Sequence, residues 1–272
     1  MATPQENLHF ARPPVDEVVL SVLIKPLDKM LAPHLGDIWQ EFKQDGFVDI
    51  VEHPPVIPAV EKFPSPSKKP EWRINVPDLP RLWFIHEDDS QIIQVQRDRF
   101  TFNWRKTESE QQYPGFPVIL KSFETFYNRF CRIITNLGVG MVTPLQYELT
   151  YVDLLFQGAG WDTLDSIGKI YNLFVDSPQL NSFWSGAESL ILRTSFPLEN
   201  LHGRLHLTIR NRLKEPEKRK TLQTEFTLRG FPENAEHNTM ISWFQSARGE
   251  IREKFTSTFT EHIQTQVWER KL

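Results

Sequence analysis

The sequence has one cysteine, Cys131, among 272 residues. No disulfide can form within the chain, so packing and hydrogen bonds must hold the fold, and the cytosol is the expected compartment. Positive charge is also scarce: 31 Lys and Arg stand against 35 Asp and Glu, a net charge of −4. A chain without a basic excess is poorly suited to general duplex binding, which depends on neutralising phosphates, and only a local basic patch is left open. There is no uncharged apolar run of about 18 residues, so no membrane span is expected. The stretch from Met1 to Pro14 is polar and lacks the apolar segment of a secretion signal.

Catalytic signatures are missing too. There is no P-loop, no strand-linked Gly-x-Gly-x-x-Gly, no His-Glu-x-x-His and no Gly-x-Ser-x-Gly. Gly138-Val139-Gly140 comes nearest to a glycine-rich loop, but it follows a helical pattern and reads as a helix stop. The eight histidines are scattered. Only His202 and His206 lie close together, and zinc needs three or four ligands. Asp88-Asp89 sits in a turn, where Asp is simply a good turn former. Cys131 lies beside Phe130 and reads as a structural thiol. No catalytic residue, metal or cofactor is expected.

Aromatic residues, by contrast, are plentiful: 20 Phe and 8 Trp predict an aromatic core. Val15 to Leu27 reads as a buried strand. Leu35, Ile38, Trp39 and Phe42 mark one helix face, which Gly46 stops. A short strand at 47–52 leads into a loop at 53–80 with eight prolines. Its apolar residues, among them Val56, Val60 and Trp72, need cover, so it is expected to clamp over the surface rather than link two domains. Arg81 to His86 and Gln91 to Lys106 read as a hairpin. Ile119, Phe123, Phe126, Phe130 and Ile133 then form one stripe of a long helix.

From Pro144 the order begins again. Leu145 to Phe156 is a strand, Asp162 caps a helix through Phe174, and strands follow at 190–196, 204–213 and 221–229. A final helix carries Met240, Phe244, Ile251, Phe255, Phe259, Ile263 and Val267 on one stripe over about eight turns. It is longer than one half requires, which offers Trp268 to a dimer contact. The reading is therefore α+β, with two β-α-β-β-β-α repeats at 1–140 and 141–272 in one compact unit. Two halves would close each other's open sheet edge and form one curved antiparallel sheet. Two long helices would pack on one face, as in TATA-binding-protein-like or helix-grip folds.

The unusual segment is Gln91 to Lys106, read as one long central strand that meets Gln146–Asp153 near the middle of the sheet. Gln94 and Gln96 then share a face with Phe100, Phe102 and Trp104, while Arg97, Arg99, Asn103 and Arg105 share the other. Gln146 and Glu148 lie on one side of their strand. Two readings stand: a groove that recognises a ligand or partner through Arg97, Arg99, Asn103, Trp104, Arg105, Gln146 and Glu148, or an internal brace in which Arg97 or Arg99 pairs with Glu148.

The segments Pro13-Pro14-Val15-x-Glu17-Val18, His34-Leu35-Gly36-x-x-Trp39, Arg81-x-Trp83-Phe84, Ile93-Gln94-Val95-Gln96-x-Asp98-Arg99-Phe100-x-x-Asn103-Trp104-Arg105-Lys106 and Gln146-x-Glu148-Leu149-Thr150-Tyr151-Val152 carry a resemblance. The chain resembles an uncharacterised family of sporadically distributed bacterial proteins of about this length. Tyr147 departs from it, at a position where Cys is expected. The resemblance implies a bacterial cytoplasmic protein, and the patchy distribution resembles that of toxin–antitoxin and phage-defence genes. The leading expectation is a non-catalytic protein that recognises an operon-encoded protein partner. A small-ligand sensor or enzyme, with a cavity between sheet and helices, is the second. Single-stranded nucleic-acid binding, with Trp104 stacking on bases, is the third.

Overall fold

The computed structural model describes residues 9–63, 79–108, 111–174, 176–215, 218–232 and 237–271. In chain order the strands and helices are β1 (His9–Phe10), β2 (Val15–Ile24), α1 (Ala32–Lys43), β3 (Asp49–His53), β4 (Arg81–Ile85), β5 (Gln91–Gln96), β6 (Arg99–Arg105), α2 (Phe116–Asn136), β7 (Pro144–Phe156), α3 (Ile167–Ile170), α4 (Pro178–Trp184), β8 (Ile191–Leu198), β9 (Gly203–Lys214), β10 (Arg219–Gly230), α5 (His237–Thr258) and β11 (Arg270–Lys271).

Nine strands form one antiparallel sheet in the order β3-β4-β5-β6-β2-β7-β10-β9-β8. The central pair is β2 and β7, with Leu20 opposite Leu149 and Val22 opposite Tyr147. Alternation along each strand sorts the side chains onto two faces. Val18, Leu20, Val22, Phe100, Phe102, Leu149, Leu207, Phe226 and Leu228 are all buried on the apolar face. The helices α2 and α5 cover it. Phe130 meets Phe100 with ring centroids 5.0 Å apart, Phe244 meets Tyr147 at 5.7 Å, and Phe123 of α2 packs edge-on against Phe244 of α5 at 5.0 Å. Such edge-to-face pairs add to the burial of aromatic surface. The helix α5 sits so close to the end of β10 that a Cβ on Gly230 would lie 2.8 Å from the Trp243 indole nitrogen and 2.6 Å from the Leu201 carbonyl oxygen. After α2, Gly138 adopts φ +67°, the left-handed stop expected there.

Several expectations need correction. The segment Gln91 to Lys106 is not one strand: it turns back at Arg97-Asp98, giving β5 and β6 side by side. That turn needs no positive φ, so no glycine advertises it, and the alternation on either side reads as continuous. The first half therefore has four strands after α1, not three. Gln94 and Gln96 lie opposite Thr101 and Arg99, so they face away from Phe100, Phe102 and Trp104. Nor does this segment touch Gln146–Asp153, because β2 runs between β6 and β7.

The helix expected from Asp162 to Phe174 is broken into a 3-10 turn at Leu164–Ser166 and the single turn α3. Thr163, not Asp162, precedes it, and Tyr171 leaves helical geometry to bridge Phe259. The same bridge ends the eight-turn helix expected at the C-terminus. The α5 helix stops at Thr258, Ile263–Val267 makes one π-helical turn, and Trp268 folds back onto Phe255 and Phe259, 5.3 and 4.6 Å away. Trp268 is a core residue, 3% exposed, rather than a dimer contact. Among the described residues no helix is long and apolar enough to cross a membrane. Trp72 lies outside the described residues.

Because Phe123 and Phe244 join both long helices to the sheet, Phe123→Ala is expected to cost about 3–5 kcal/mol. Urea unfolding followed by Trp fluorescence measures it.

Candidate functional site

The opposite face of the sheet is polar. Reading across the strands by register, one row holds His53, Arg81, Gln96, Arg99, Leu23 and Gln146. The next holds Trp83, Gln94, Thr101, Ser21, Glu148, Arg229 and Arg204. A third brings Asn103, Val19, Thr150, Thr227, His206 and Ser195 into line. Short hydroxyl residues at the centre, such as Ser21, Thr101, Thr150 and Thr227, are buried between longer neighbours. They bond to one another, Ser21 to Thr101 at 2.7 Å and Thr150 to Thr227 at 2.9 Å.

The proline-rich segment after β3 crosses this face as a strap over 53–63, but polar bonds hold it rather than apolar cover, since Ile57, Val60 and Phe63 stay exposed. Prolines 54, 55 and 58 leave it few N–H groups and no ladder, so its backbone polar groups need side-chain partners. Two glutamines supply them. Gln96 accepts from Val56 N–H at 2.8 Å and donates to the Val56 carbonyl at 2.9 Å. Gln146 accepts from Glu61 N–H at 2.9 Å and donates to the Ala59 carbonyl at 3.0 Å.

The strap ends on a charge. Glu61 is 6% exposed, and its carboxylate accepts from Arg204 through one oxygen and from His206 at 2.6 Å through the other. Arg229 stands 3.7 Å away and pairs with Glu148 as well. Burial alone would raise the Glu61 pKa, but the bonds from His206 and Arg204 and the charge of Arg229 hold it below the usual carboxylate value. The same two carboxylates raise Arg229 against the effect of its own burial. Phe63 then lies under the Arg204 guanidinium, 4.6 Å from its ring centroid.

The brace expected between Arg97 or Arg99 and Glu148 is replaced by Arg229–Glu148. Arg99, Asn103, Arg105, Gln146 and Glu148 do share the polar face. Asn103 donates to Glu17 at 2.6 Å and accepts from Gln94 at 2.8 Å, and Arg105 pairs with Asp89 at 3.1 Å. Arg97 sits in the β5–β6 turn, where it donates to the Asp28 carbonyl at 3.3 Å. Trp104 is on the helix-covered face, 5% exposed and packed against Tyr113, so it has no open ring face for stacking on a base. His202 ends a 3-10 turn at φ +42° and lies outside β9, so it does not share a face with His206 as two strand residues would.

Sequence reasoning missed Glu61, Arg204, His206 and Arg229 as a unit. It also missed a corner at the other end of the face, where Arg81 stands over Trp83 at 5.4 Å and His53 lies 4.3 Å from the same indole. Burial and the neighbouring charge of Arg99 lower the Arg81 pKa. For nucleophilic chemistry the parts do not meet: Ser195 lies opposite His206, but no hydrogen bond joins them, and burial pushes the Cys131 thiol up to about 11. Two surface grooves, of about 390 and 260 Å³, lie between α2 and α5 and between α1 and α2, away from the polar face.

Under the helices lies one more missed group. Asp153 is fully enclosed, both its oxygens lack a hydrogen-bond partner, and it faces Asp16, Tyr113 and Tyr171. Burial, then Asp16, pushes its pKa up to about 8. A carboxyl raised in the folded state favours folding most at low pH, and that advantage is lost as pH climbs from the unfolded value towards 8. Wild-type stability should therefore fall relative to Asp153→Asn by about 1.4 kcal/mol per pH unit between pH 5 and 7, a trend that denaturant unfolding across pH can check. Glu61 works in the opposite sense, stabilising above the ordinary carboxylate pKa and failing as pH falls. Glu61→Ala removes the carboxylate that buried Arg204 and His206 share and should cost about 3–5 kcal/mol. It should also free the strap, so that trypsin cuts after Lys62 faster than in the wild type. Compared with protein-family models, with curated proteins and with solved structures, the chain finds no match in any of the three.

Proposed function

We propose that this is a non-catalytic binding protein that recognises a protein partner through the polar face of its sheet, as one component of a bacterial toxin–antitoxin or phage-defence module. The observation that carries the reading is a sheet with two unlike faces: one filled by aromatic residues under two helices, the other lined with arginine, glutamine, asparagine and threonine and crossed, among the described residues, by a strap. A solvated face needs no such concentration of fixed hydrogen-bonding groups, whereas interfaces favour arginine held in place. The patchy distribution of the resembled family supports the module. The aromatic filling between sheet and helices speaks against a ligand cavity there, and the burial of Trp104 removes the stacking residue from the nucleic-acid reading.

We also read the two halves as copies of one unit. The first strands, β2 and β7, lie together at the centre; the last strands, β6 and β10, flank them; and α2 and α5 follow those last strands in the chain. This mirrored order supports a duplicated, saddle-like sheet, with β3 as an addition to the first half.

The test is co-purification of the chain from its native operon. A stoichiometric partner is expected, and Arg105→Glu should weaken its binding by roughly tenfold or more while the melting temperature changes little. A protein that runs alone and neutralises nothing would sink the proposal.

A further inference from the structure

Unspent polar atoms gather at one corner of the polar face. The indole nitrogen of Trp83, the Nε atoms of Arg81 and Arg99 and the Nε2 of His53 are all buried without a hydrogen-bond partner. The register puts them side by side: His53 opposite Arg81 across β3 and β4, and Arg81 and Arg99 on either side of Gln96. Among the described residues, the Arg81 guanidinium bonds to a neutral amide, Gln94 at 3.2 Å. The structure gives Arg99 neither a hydrogen bond nor an ion pair among the described residues. Elsewhere on this face Arg204 and Arg229 are answered by Glu61 and Glu148 and Arg105 by Asp89, while Arg210 also keeps a buried Nε without a partner. Two neighbouring guanidiniums with no carboxylate between them are a costly arrangement unless an anion joins them.

We propose that the corner formed by His53, Arg81, Trp83 and Arg99 binds a phosphate group. This inference rests on the reading of the polar face as a binding surface and names the chemistry that one end of it takes. The donors come from three strands, β3, β4 and β6, and so approach from different directions. A carboxylate, with two oxygens in one plane, matches a single guanidinium fork. A phosphate, with three acceptor oxygens and a charge near −2, can bridge two guanidiniums and still accept from the indole or imidazole. Gln96 holds the strap beside this corner through Val56, so a phosphate bound there would sit next to the strap. The group has two sources, a free phosphate-bearing small molecule or a phosphorylated side chain of the partner.

The experiment follows the arginine Nε–H resonances of the full-length protein by ¹H–¹⁵N NMR, at constant ionic strength, during titration with inorganic pyrophosphate, O-phosphoserine, succinate or sodium chloride. The Arg81 and Arg99 signals are expected to shift saturably with the phosphates and much less with succinate or chloride. Tighter binding of pyrophosphate assigns the site to free phosphate compounds, and tighter binding of phosphoserine assigns it to a modified side chain. Equal response to succinate and the phosphates, or no saturable shift at Arg81 and Arg99, overturns the inference. Arg81→Gln with Arg99→Gln should weaken pyrophosphate binding about tenfold or more, and the wild-type titration decides the matter even if that variant fails to fold. Loss of the anion site with a partner still captured from the operon would refute this inference alone.

Discussion

The strict alternation of the strands is the constraint on which everything else depends. A sheet of nine strands presents two faces, and a period of two sends apolar side chains to one and polar side chains to the other along nearly every strand. The apolar face is resolved by α2 and α5, whose aromatic stripes meet it ring against ring. The polar face has no helical cover among the described residues, and burying its groups without partners would cost more than leaving them wet. The chain answers with small local solutions: paired hydroxyls at the centre, two glutamines that each hold a length of strap, and a carboxylate where the strap ends.

Glu61 shows how such a solution couples distant parts of the chain. It lies in a segment with no regular structure, yet it neutralises Arg204 and bonds His206, about 143 and 145 residues further on, and leaves Arg229 shared with Glu148. The strap therefore spans from β3 near one edge to β9 near the other, and β2 and β7 are gripped beneath it. Its removal would expose buried cations as well as apolar surface, so the strap acts as part of the fold. At the corner of Arg81 and Arg99 the sheet gives the cations no acid among the described residues.

Much of the fold was legible. Leu205, Leu207 and Ile209, and likewise Phe226 and Leu228, alternate clearly enough to reveal β9 and β10, and Phe123, Phe130 and Ile133 mark α2 by their spacing. The two-residue turn at Arg97-Asp98 was not legible, since neither residue takes a positive φ and the flanking alternation runs on without a glycine. That one hidden turn reversed the facing of Gln94, Gln96 and Trp104. Phe259, Ile263 and Val267 continue a helical stripe, but the bridge from Tyr171 to Phe259 is a tertiary contact that overrides the local pattern. Arg99, Asn103, Arg105, Gln146 and Glu148 could be placed on one face because polar alternation within a strand is local. Glu61 could not, since its meaning lies in partners far along the chain, and the same holds for Arg81 beside Arg99.

The central claim is that the polar face does the recognising while the helical face only supports it. Arginine footprinting with phenylglyoxal, on the free protein and on its complex with the proposed partner, tests this most directly. The account predicts that Arg99 and Arg105 lose reactivity in the complex, while exposed Arg132 on α2 keeps its own. Protection of Arg132 with Arg99 and Arg105 unchanged would contradict it.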